Sequence, residues 1–251
     1  MLTSHRKQQI LEILKQNGQI VARELSQTMG LSEDTIRRDL RELAQEGRLQ
    51  RVHGGALPSS PAMEDSASRD LPRHEGEIAI GKAAAAMIQP GHVLILDGGT
   101  TAREVARHLS PGLNATIATH SPTIALELIH HASIDVILIG GRLIKHSVVS
   151  VGAAAIEAIG QLNADTYFMD VTGVHPRTGL TTGDYEEAAV KRAFSRAATE
   201  TIVLASAEKL NAAYPFKIIG LEEISALITE RAVSDAQLKP YRALGVSVLR
   251  A

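Results

Sequence analysis

Residues 31–46 bring three arginines, Arg37, Arg38 and Arg41, together on one helical segment. At about 100° per residue, Arg38 and Arg41 face away from the apolar side of this helix, and Arg37 flanks them. The apolar side consists of Ile36, Leu40 and Leu43. Arginine can donate two hydrogen bonds to the edge of a guanine in the major groove of DNA. The spacing therefore predicts a helix that packs on a small core and reads base edges.

A second interpretation of the same segment is a solvated surface helix whose arginines pair with neighbouring carboxylates. Those carboxylates are Glu33, Asp39, Glu42 and Glu46. The helix boundaries are the same in both interpretations, because Ser32 is a good N-cap with Thr35 three residues further on, and Gly47 ends the helix. The flanking segments favour the interpretation in which the helix reads DNA.

The preceding residues predict two further helices. The first spans about residues 4–17, and the second spans residues 21–29. The expected buried faces are Ile10, Leu11, Ile13 and Leu14 in the first, and Val21, Leu25 and Met29 in the second. Gly30 ends the second helix, so a tight turn leads into the arginine helix. Two short helices joined in this way make a helix-turn-helix over about residues 20–39.

Residues 48–57 predict a small hairpin, or wing, beside the arginine helix. Polar and apolar residues alternate over 48–53, Gly54-Gly55 reverses the chain, and Ala56-Leu57 forms the return. The cationic side chains of the wing are Arg48, Arg51 and His53. Wing cations can hold phosphates while a helix reads bases, so position on DNA and sequence preference come from different residues.

From about residue 75 onward, apolar strands alternate with helices. Unbroken apolar runs such as 93–96, 136–139 and 202–205 predict a parallel sheet covered on both faces. The fold class is therefore α/β, with a winged helix-turn-helix at residues 3–58 and an effector-binding and oligomerisation domain at 75–251. Residues 59–74, rich in Pro and Ser, predict an extended linker.

Several strands of this second domain are followed by residues that bind oxyanions or polyols. Ligands sit outside the carboxyl ends of strands in such sheets, and helix N-termini there favour phosphate. The candidate effector-binding residues are Asp97, Gly99, Thr100, Thr101, Thr119, Ser121, Gly140, Gly141, Asp170, Lys191 and Lys209. Thr and Ser supply hydroxyls, Gly permits close backbone approach, the lysines supply charge, and the aspartates can accept sugar hydroxyls. The pattern predicts a pocket for a phosphorylated sugar.

One apparent motif is rejected. Residues 76–83 nearly match a Walker phosphate loop, but Ala83 stands where the loop needs a hydroxyl for Mg²⁺, and no strand precedes it. The same residues predict a helix instead. Its expected interior face consists of Ile78, Lys82, Ala85 and Ile88.

The amino-acid composition limits the classes of protein to which this chain can belong. The 251 residues contain no Cys, which excludes disulfides and fits a reducing compartment, and no apolar run reaches membrane-spanning length. We therefore expect a cytoplasmic protein without a membrane partner. Residues 1–57, which we call the head, carry nine Lys/Arg and seven Asp/Glu, so their net charge is +2. The remaining residues have a net charge of −4. The ten histidines are scattered, so we expect neither a metal site nor a cofactor.

The residues also resemble a known family. The Thr35-Ile-Arg-Arg-Asp-Leu40 string and the Arg51-x-His53-Gly-Gly-Ala56 wing are similar to the DeoR family of bacterial transcription regulators. The resemblance implies a winged helix-turn-helix that meets DNA through residues around the arginine helix. These are Ser32, Thr35, Arg37, Arg38 and Arg41. Members of the family act mostly as repressors.

The second half resembles the effector domain of the same family, which is similar in fold to ribose-5-phosphate isomerase. The motifs are Asp97-x-Gly-Thr-Thr101, Thr119-x-Ser121, Gly140-Gly141, Gly152, Gly173, Gly179-x-Thr181, Lys191 and Ser206-x-x-Lys209. The resemblance implies that Gly173 joins the effector-binding residues. His120 stands where the family often has Asn, and the Asp170-Val-Thr-Gly segment is more acidic than usual.

Two functions compete on these observations. The first is a DNA-binding repressor of a carbohydrate-metabolism operon, modulated by a phosphorylated sugar and acting as a homo-dimer or homo-tetramer over repeated half-sites of double-stranded operator DNA. The second is a sugar-phosphate isomerase or deaminase with an incidental head, for which Asp170, Glu186 and Glu187 are candidate bases. Nothing in the sequence fixes one of these bases over a pocket, so the sequence favours the first function and predicts no enzyme activity. A pure metabolite-binding module is weaker still, because it leaves the head unexplained.

Overall fold

The computed structural model of this chain describes residues 3–17, 19–46, 48–52, 54–58 and 75–251. Three sequence predictions lie outside this part: the helix end at Gly47, the wing cation His53 and the linker at 59–74. The division into domains at residues 3–58, 59–74 and 75–251 accordingly stays a prediction.

The head combines three helices with a three-stranded sheet. Its elements are α1 (Thr3–Asn17), β1 (Ile20–Val21), α2 (Ala22–Met29), α3 (Glu33–Gln45), β2 (Leu49–Val52) and β3 (Gly55–Pro58). The strand order is β1-β3-β2, with both pairs antiparallel. The predicted arginine helix is α3, which begins after Ser32 as expected, and the predicted wing is the β2–β3 hairpin.

The core of the head follows the helical periodicity of the sequence. Ile36, Leu40 and Leu43 are at most 1% exposed, which confirms the predicted apolar face of α3. Of the four apolar residues expected to be buried in α1, Ile10 and Leu14 are fully buried, and Leu11 and Ile13 are half-buried. Gly30 ends α2 in the left-handed conformation, at φ 64°, as predicted.

The predicted start of α2 is wrong, and so is one residue of its predicted buried face. Leu25 is buried and Met29 packs partly buried against the core as expected, but Val21 lies in strand β1 and is 41% exposed. α2 begins at Ala22 and also buries Ala22 and Ser26. The reason is that β1 adds a third strand to the wing, with Val21 opposite Gly55. A Cβ at Gly55 would lie 1.8 Å from the carbonyl oxygen of Ile20, so only glycine permits this approach.

The second domain is built on a seven-stranded sheet. Its strands are β4 (Val93–Leu96), β5 (Ala115–Thr119), β6 (Ile134–Leu138), β9 (Ala164–Asp170), β12 (Ala198–Leu204), β14 (Ala226–Thr229) and β15 (Val248–Arg250). They lie in the order β15-β14-β12-β9-β4-β5-β6, and every adjacent pair is parallel. The predicted parallel α/β architecture is confirmed.

Helices cover both faces of this sheet. The helices are α4 (Glu75–Ala85), α5 (Thr100–Arg107), α6 (Pro122–Leu128), α7 (Ala153–Ile159), α8 (Tyr185–Arg196) and α9 (Asp235–Ala243). Side chains of α4, α5 and α6 share one apolar cluster with the sheet, and those of α7, α8 and α9 share the other. Consecutive residues of β4 alternate between the two clusters, as a strand buried on both faces requires.

Short strands outside the main sheet form two small antiparallel units. β7 (Arg142–Ile144) pairs with β8 (Val149–Val151), while β10 (Gly173–His175), β11 (Gly179–Thr182) and β13 (Phe216–Lys217) form a three-stranded unit. The apolar pattern of the sequence also predicts a parallel strand at residues 217–220, and this prediction is wrong. These residues continue from β13, which pairs with β11 rather than with the main sheet.

The helix predicted over the rejected Walker match exists, but its buried face differs from the prediction. α4 is continuous through residues 76–83, so no phosphate loop forms there. It buries Glu77, Ile80, Gly81 and Ala84, whereas Lys82 is exposed. Gly81 sets this face because a Cβ there would lie 2.6 Å from Cβ of Glu104 in α5.

Candidate DNA-binding surface and effector site

The arginines of α3 lie on the exposed side of the helix, opposite its buried leucines. Arg37, Arg38 and Arg41 are all exposed. A cavity of about 280 Å³ lies between α3 and the wing. It is lined by Ala22, Arg37, Leu40, Arg41, Arg51, Gly54 and Gly55. Guanidinium groups from the helix and from the wing therefore border one cavity.

The interpretation of α3 as a self-neutralised surface helix holds for only one of the three arginines. Arg37 pairs with Glu33 at 2.6 Å, and both side chains remain substantially exposed. Within the described residues, Arg38 and Arg41 form no ion pair. Such exposed pairs contribute little free energy, so even Arg37 can exchange its partner for a phosphate or base.

The other acidic residues of α3 bind α1 instead of the α3 arginines. Asp39 is fully buried and accepts from Arg6 Nε at 2.5 Å and Arg6 Nη2 at 2.9 Å. Lys7 pairs with Glu42 at 3.1 Å and with Glu46 at 2.6 Å. The expectation that Asp39, Glu42 and Glu46 would pair with the arginines is wrong. These carboxylates fix α3 against α1 and leave its outer side cationic.

The remaining candidate DNA contacts surround this cationic side. Ser32 caps α3 by accepting from Thr35 N at 3.2 Å, and its hydroxyl lies 2.8 Å from that of Thr35. Arg48 and Arg51 are exposed at the wing. Their contacts with DNA stay predictions.

The chain order of the main sheet reverses direction at one position, between β4 and β9. From β4 the chain proceeds through β5 to β6 on one side, whereas β9, β12, β14 and β15 lie on the other. A parallel sheet binds ligands at the carboxyl ends of strands where the order reverses in this way. Asp97 directly follows β4 and Asp170 ends β9, so both aspartates lie at the switch point.

Asp97 is the centre of a buried polar network at the switch point. Its two oxygens accept from Gly98 N (2.9 Å), His120 Nε2 (2.9 Å), Tyr167 Oη (2.8 Å), Asp170 N (3.0 Å) and Lys191 Nζ (2.5 Å). Five donors saturate a carboxylate. The expectation that Asp97 accepts sugar hydroxyls is therefore wrong for this geometry.

The groups of this network shift one another's pKa values. Burial alone would raise the pKa of Asp97, but the charges of Lys191 and His120 and their hydrogen bonds lower it to about 2. Burial, together with the Asp97 charge, raises the pKa of Tyr167 well above its ordinary value, so this hydroxyl donates. His120 Nδ1 lies 3.0 Å from the Ser150 carbonyl oxygen. Both ring nitrogens of His120 therefore contact oxygen atoms of the protein, one at Ser150 and one at Asp97.

Asp170 occupies the N-terminus of α5, where the sequence predicts a phosphate. Its carboxylate accepts from Thr101 N at 3.2 Å and from Lys209 Nζ at 2.6 Å. A Cβ at Gly99, whose φ is 132°, would lie 2.1 Å from Asp170 Oδ2. Burial alone would lower the pKa of Lys209, but Asp170 raises it, so Lys209 stays charged. The Thr101 N–H group and the Lys209 ammonium thus form an anion-binding site, which we call the anion seat, and the Asp170 carboxylate occupies it.

Only one side of this site is open to solvent. Thr100 is exposed, and Gly99 and Lys209 are partly exposed, whereas Thr119 and Ser121 are fully buried. Thr119 Oγ1 accepts from Ser121 N, and the Ser121 hydroxyl contacts Thr123 Oγ1 at 2.8 Å. The expectation that Thr119 and Ser121 face an effector is wrong here, because both bind within the protein.

Two of the expected glycines serve chain packing. A Cβ at Gly141 would lie 2.6 Å from the Val151 oxygen, and one at Gly173 would lie 2.5 Å from the Ala212 oxygen. Their close backbone approach is to the protein itself, not to a ligand. Gly140 is exposed and would have space for a Cβ, so no close approach requires a glycine there.

Two polar residues of the site, Tyr167 and Glu77, were not predicted, and a third, Glu187, was predicted only as a candidate base. Tyr167 belongs to β9, and in the sequence its position is typical of a core strand residue. Glu77 of α4 accepts from Thr100 Oγ1 at 2.5 Å, and Glu187 of α8 accepts from Ser147 and from Thr182 Oγ1 at 3.3 Å. A carboxylate on the buried face of a helix is the sequence signal that could have indicated Glu77 and Glu187.

The candidate bases of the enzyme interpretation are all engaged. Asp170 pairs with Lys209, Glu186 pairs with Arg142, and Glu187 accepts two hydroxyl hydrogen bonds. In the part of the chain that the structure describes, no three acidic, His or Cys side chains are grouped to hold a metal ion. No helix in that part is long and apolar enough to span a bilayer.

An arginine-bearing helix beside a wing, followed by a parallel sheet with an anion seat at its switch point, defines a winged helix-turn-helix regulator with a sensor domain. The profile of the DeoR-like helix-turn-helix domain matches residues 6–61, and that of the DeoR C-terminal sensor domain matches residues 73–231. The chain belongs to the DeoR family of transcriptional regulators.

Relatives along nearly the whole chain agree with this membership. The putative aga operon transcriptional repressor of Escherichia coli O157:H7 is 31% identical over 98% of this chain and 93% of its own. The regulator GlpR of Haloferax volcanii is 31% identical over 99% and 98%. The glycerol-3-phosphate regulon repressor of Escherichia coli K12 is 34% identical over 77% of each chain.

Solved structures give weaker similarities. Ribose-5-phosphate isomerase A of Methanocaldococcus jannaschii covers 53% of this chain and 52% of its own at 17% identity and a TM-score of 0.40. The sorbitol operon regulator SorC of Klebsiella pneumoniae covers 84% and 96% at 12% identity and a TM-score of 0.37.

Proposed function

We propose that this chain represses a carbohydrate-metabolism operon by binding operator DNA, and that a phosphorylated sugar modulates this binding. It acts in the cytoplasm as a homo-dimer or homo-tetramer that pairs its heads over repeated half-sites. The observation that carries the proposal is the cationic outer side of α3, where Arg38 and Arg41 are exposed without an ion-pair partner among the described residues and Arg41 lines the same cavity as Arg51 of the wing. The names of the relatives, which include repressors of the aga operon and of a glycerol-3-phosphate regulon, support it.

The head supplies both kinds of DNA contact that specific binding needs. Arg38 and Arg41 on α3 can reach base edges, while Arg48 and Arg51 on the wing can hold phosphates. The acidic residues of the α1–α3 contact are already paired with Arg6 and Lys7 of α1, so they do not pair with the α3 arginines. The net charge of −4 over residues 58–251 keeps the sensor itself from binding DNA non-specifically.

Replacing Arg38 by Ala should weaken operator binding by about 1–3 kcal/mol, because the variant loses a bidentate base contact without disturbing the head core. Fluorescence anisotropy with a duplex selected from a random library measures the affinity. Arg196→Ala, which removes an exposed arginine from α8, is the matched control and should bind like wild type. Wild-type affinity in the Arg38 variant would remove Arg38 from the interface.

The effector part of the proposal uses the anion seat at α5. A phosphate presents the same acceptor oxygens as the Asp170 carboxylate, so the N–H of Thr101 and the ammonium of Lys209 fit it equally well. Two anions cannot share the seat. A phosphorylated sugar therefore displaces Asp170 and enters from the open side, past Thr100 and Gly99.

Replacing Asp170 by Asn should tighten the binding of a phosphorylated sugar by about tenfold, because a neutral amide competes less for Lys209 and does not repel phosphate. A thermal-shift screen of hexose, pentose, amino-sugar and glycerol phosphates identifies the probe, since a ligand at ~100 times its Kd adds about 2.7 kcal/mol of stability. Titration calorimetry then compares wild type, Asp170→Asn and the exposed-site control Glu200→Gln. Weaker binding by Asp170→Asn would mean that Asp170 accepts a sugar hydroxyl instead.

A contact between α4 and α5 connects the seat to the segment that leads to the head. Glu77 lies in the first turn of α4, directly after the linker residues, and holds the Thr100 hydroxyl. A phosphate near Thr100 repels the Glu77 carboxylate and accepts the Thr100 hydroxyl hydrogen bond in its place. The close contact between Gly81 and Glu104 of α5 holds the rest of α4 in position. Effector binding thus favours a different position of the first turn of α4, and this differential affinity is what coupling to the head requires.

A further inference from the structure

Glu187 of α8 is a buried carboxylate whose hydrogen-bond donors are hydroxyl groups. The residue is 8% exposed, and no lysine or arginine among the described residues pairs with it. The Ser147 hydroxyl donates to one carboxylate oxygen, and the Thr182 hydroxyl donates to the other at 3.3 Å. Buried carboxylates usually pair with a cation, so the position of Glu187 needs another explanation.

The Glu187 carboxylate can accept more hydrogen bonds than it receives. A carboxylate has about four acceptor positions, and the two hydroxyls occupy one on each oxygen. The Thr182 hydroxyl also accepts from the Thr172 hydroxyl at 3.3 Å. Ser147 and Thr172 are half-buried, so this group of side chains extends towards solvent. We call it the hydroxyl cluster, and its members are Ser147, Thr172, Thr182 and Glu187.

The hydroxyl cluster lies next to the anion seat. Glu187 precedes Lys191 by one turn on the buried face of α8, about 5.4 Å along the helix. Lys191 Nζ donates to the backbone oxygen of Asp170 at 2.8 Å, and Thr172 follows Asp170 by two residues. Burial raises the pKa of Tyr167, and the charges of Asp97, Asp170 and Glu187 raise it further, so Glu187 acts on the same group as the two site aspartates.

The β7–β8 hairpin holds Ser147 against Glu187. Val148, the next residue, has φ 51°, a conformation that a β-branched residue rarely adopts. Its carbonyl oxygen accepts from the Ser121 hydroxyl at 3.3 Å, and a Cβ at Gly98 would lie 2.3 Å from Val149 Cγ1. The hairpin therefore packs against the loop that follows β4. Strained residues of this kind persist where surrounding contacts fix them, and they cluster at ligand sites.

We propose that Glu187 binds hydroxyl groups of the effector, so that the hydroxyl cluster recognises the sugar while the anion seat holds its phosphate. Two neighbouring hydroxyls of a sugar or polyol can donate to the two open positions of the carboxylate. Ser147 and Thr182 are positioning residues that orient it. The inference rests on the proposed function, because it assigns the sugar half of the same effector site.

Titration calorimetry on the full-length chain compares ribose 5-phosphate, glucose 6-phosphate and glycerol 3-phosphate with inorganic phosphate. In the wild type, at least one of these esters should bind tenfold more tightly than inorganic phosphate, since hydrogen bonds to a charged group are strong. In Glu187→Gln this advantage should disappear, while inorganic phosphate binds as in wild type. Glu200→Gln, which alters an exposed carboxylate, is the matched control and should keep the advantage.

The outcomes separate this inference from the proposed function. If Glu187→Gln binds the ester as tightly as wild type does, the inference is overturned, although the anion seat stands. An equal loss of ester and inorganic phosphate also overturns it, because a purely structural role of Glu187 predicts that result. If no phosphate compound binds the wild type, the anion seat fails, and ribose, glucose and glycerol then decide the role of Glu187. Wild-type binding of one of them that Glu187→Gln lowers tenfold supports the inference, and no binding overturns it.

Discussion

Replacing Asp97 by Asn should lower the free energy of unfolding of the sensor domain by about 3–5 kcal/mol, the usual consequence of removing one partner of a buried ion pair. The change leaves the buried Lys191 ammonium without its anion and takes the carboxylate partner from His120. It also replaces an acceptor of five hydrogen bonds by a group that must donate some of its own. No other single polar substitution in the described residues removes as many contacts at once.

Urea unfolding of the full-length chain, followed through a sensor signal, measures this loss. Glu157→Gln, which removes an exposed carboxylate from α7, should change the stability by less than ~0.5 kcal/mol. If Asp97→Asn unfolds at the wild-type urea concentration, the Asp97 network does not hold the switch point together.

The same network sets the acid stability of the sensor. The pKa of Asp97 is lowered to about 2 in the folded chain, from an ordinary value of 3.8. Its stabilising effect is therefore present above about pH 4 and lost as the pH falls from about 4 to about 2. The lowering of this pKa corresponds to about 2–3 kcal/mol. The Asp97→Asn variant should lack this part of the pH dependence.

Replacing Asp39 by Leu should unfold the head and abolish operator binding while leaving the sensor folded. The change leaves the Arg6 guanidinium without its anion against an apolar core, and the Arg6 side chain is only 9% exposed. We expect this to lower the free energy of unfolding of the head by about 3–5 kcal/mol. A domain of this size buries little surface and has only a few kcal/mol to lose. Head amide signals in NMR spectra and anisotropy with operator DNA report the outcome.

A double variant distinguishes a lost ion pair from a general intolerance of the site. Arg6→Met combined with Asp39→Leu replaces both charges by apolar side chains of similar size, and such replacements are often neutral or stabilising. The double variant should recover a folded head and most of the operator affinity, since neither residue faces DNA. If the double variant is as unstable as Asp39→Leu, then packing rather than charge explains the loss.

The sequence predicted those elements whose residues carry a strong local period. The apolar face of α3, its Ser32 cap and the end of α2 at Gly30 follow from local spacing and capping chemistry, and the structure confirms them. The strands of the parallel sheet were found for the same reason. β1 was missed because a strand of two residues is too short to show a periodic pattern. Its pairing also depends on Gly55, which lies far along the chain.

The predictions that failed depend on contacts between distant residues. The buried face of α4 is set by Gly81 against Glu104, and its Lys82 is exposed although the sequence pattern placed it inside. Asp97 was predicted to bind a ligand, yet its partner Lys191 lies 94 residues further along the chain. Asp39 was expected beside the α3 arginines but pairs with Arg6, 33 residues away. No local pattern shows such pairs.

Anisotropy of an operator duplex, titrated with the full-length chain in the presence and absence of a phosphorylated sugar that raises its melting temperature, tests most directly whether the sensor and the head are coupled. We predict that the phosphorylated sugar changes operator affinity at least fivefold, as a coupling free energy of about 1 kcal/mol or more requires, and that the same sugar without phosphate does not. An operator complex that is indifferent to every stabilising sugar phosphate would contradict this coupling.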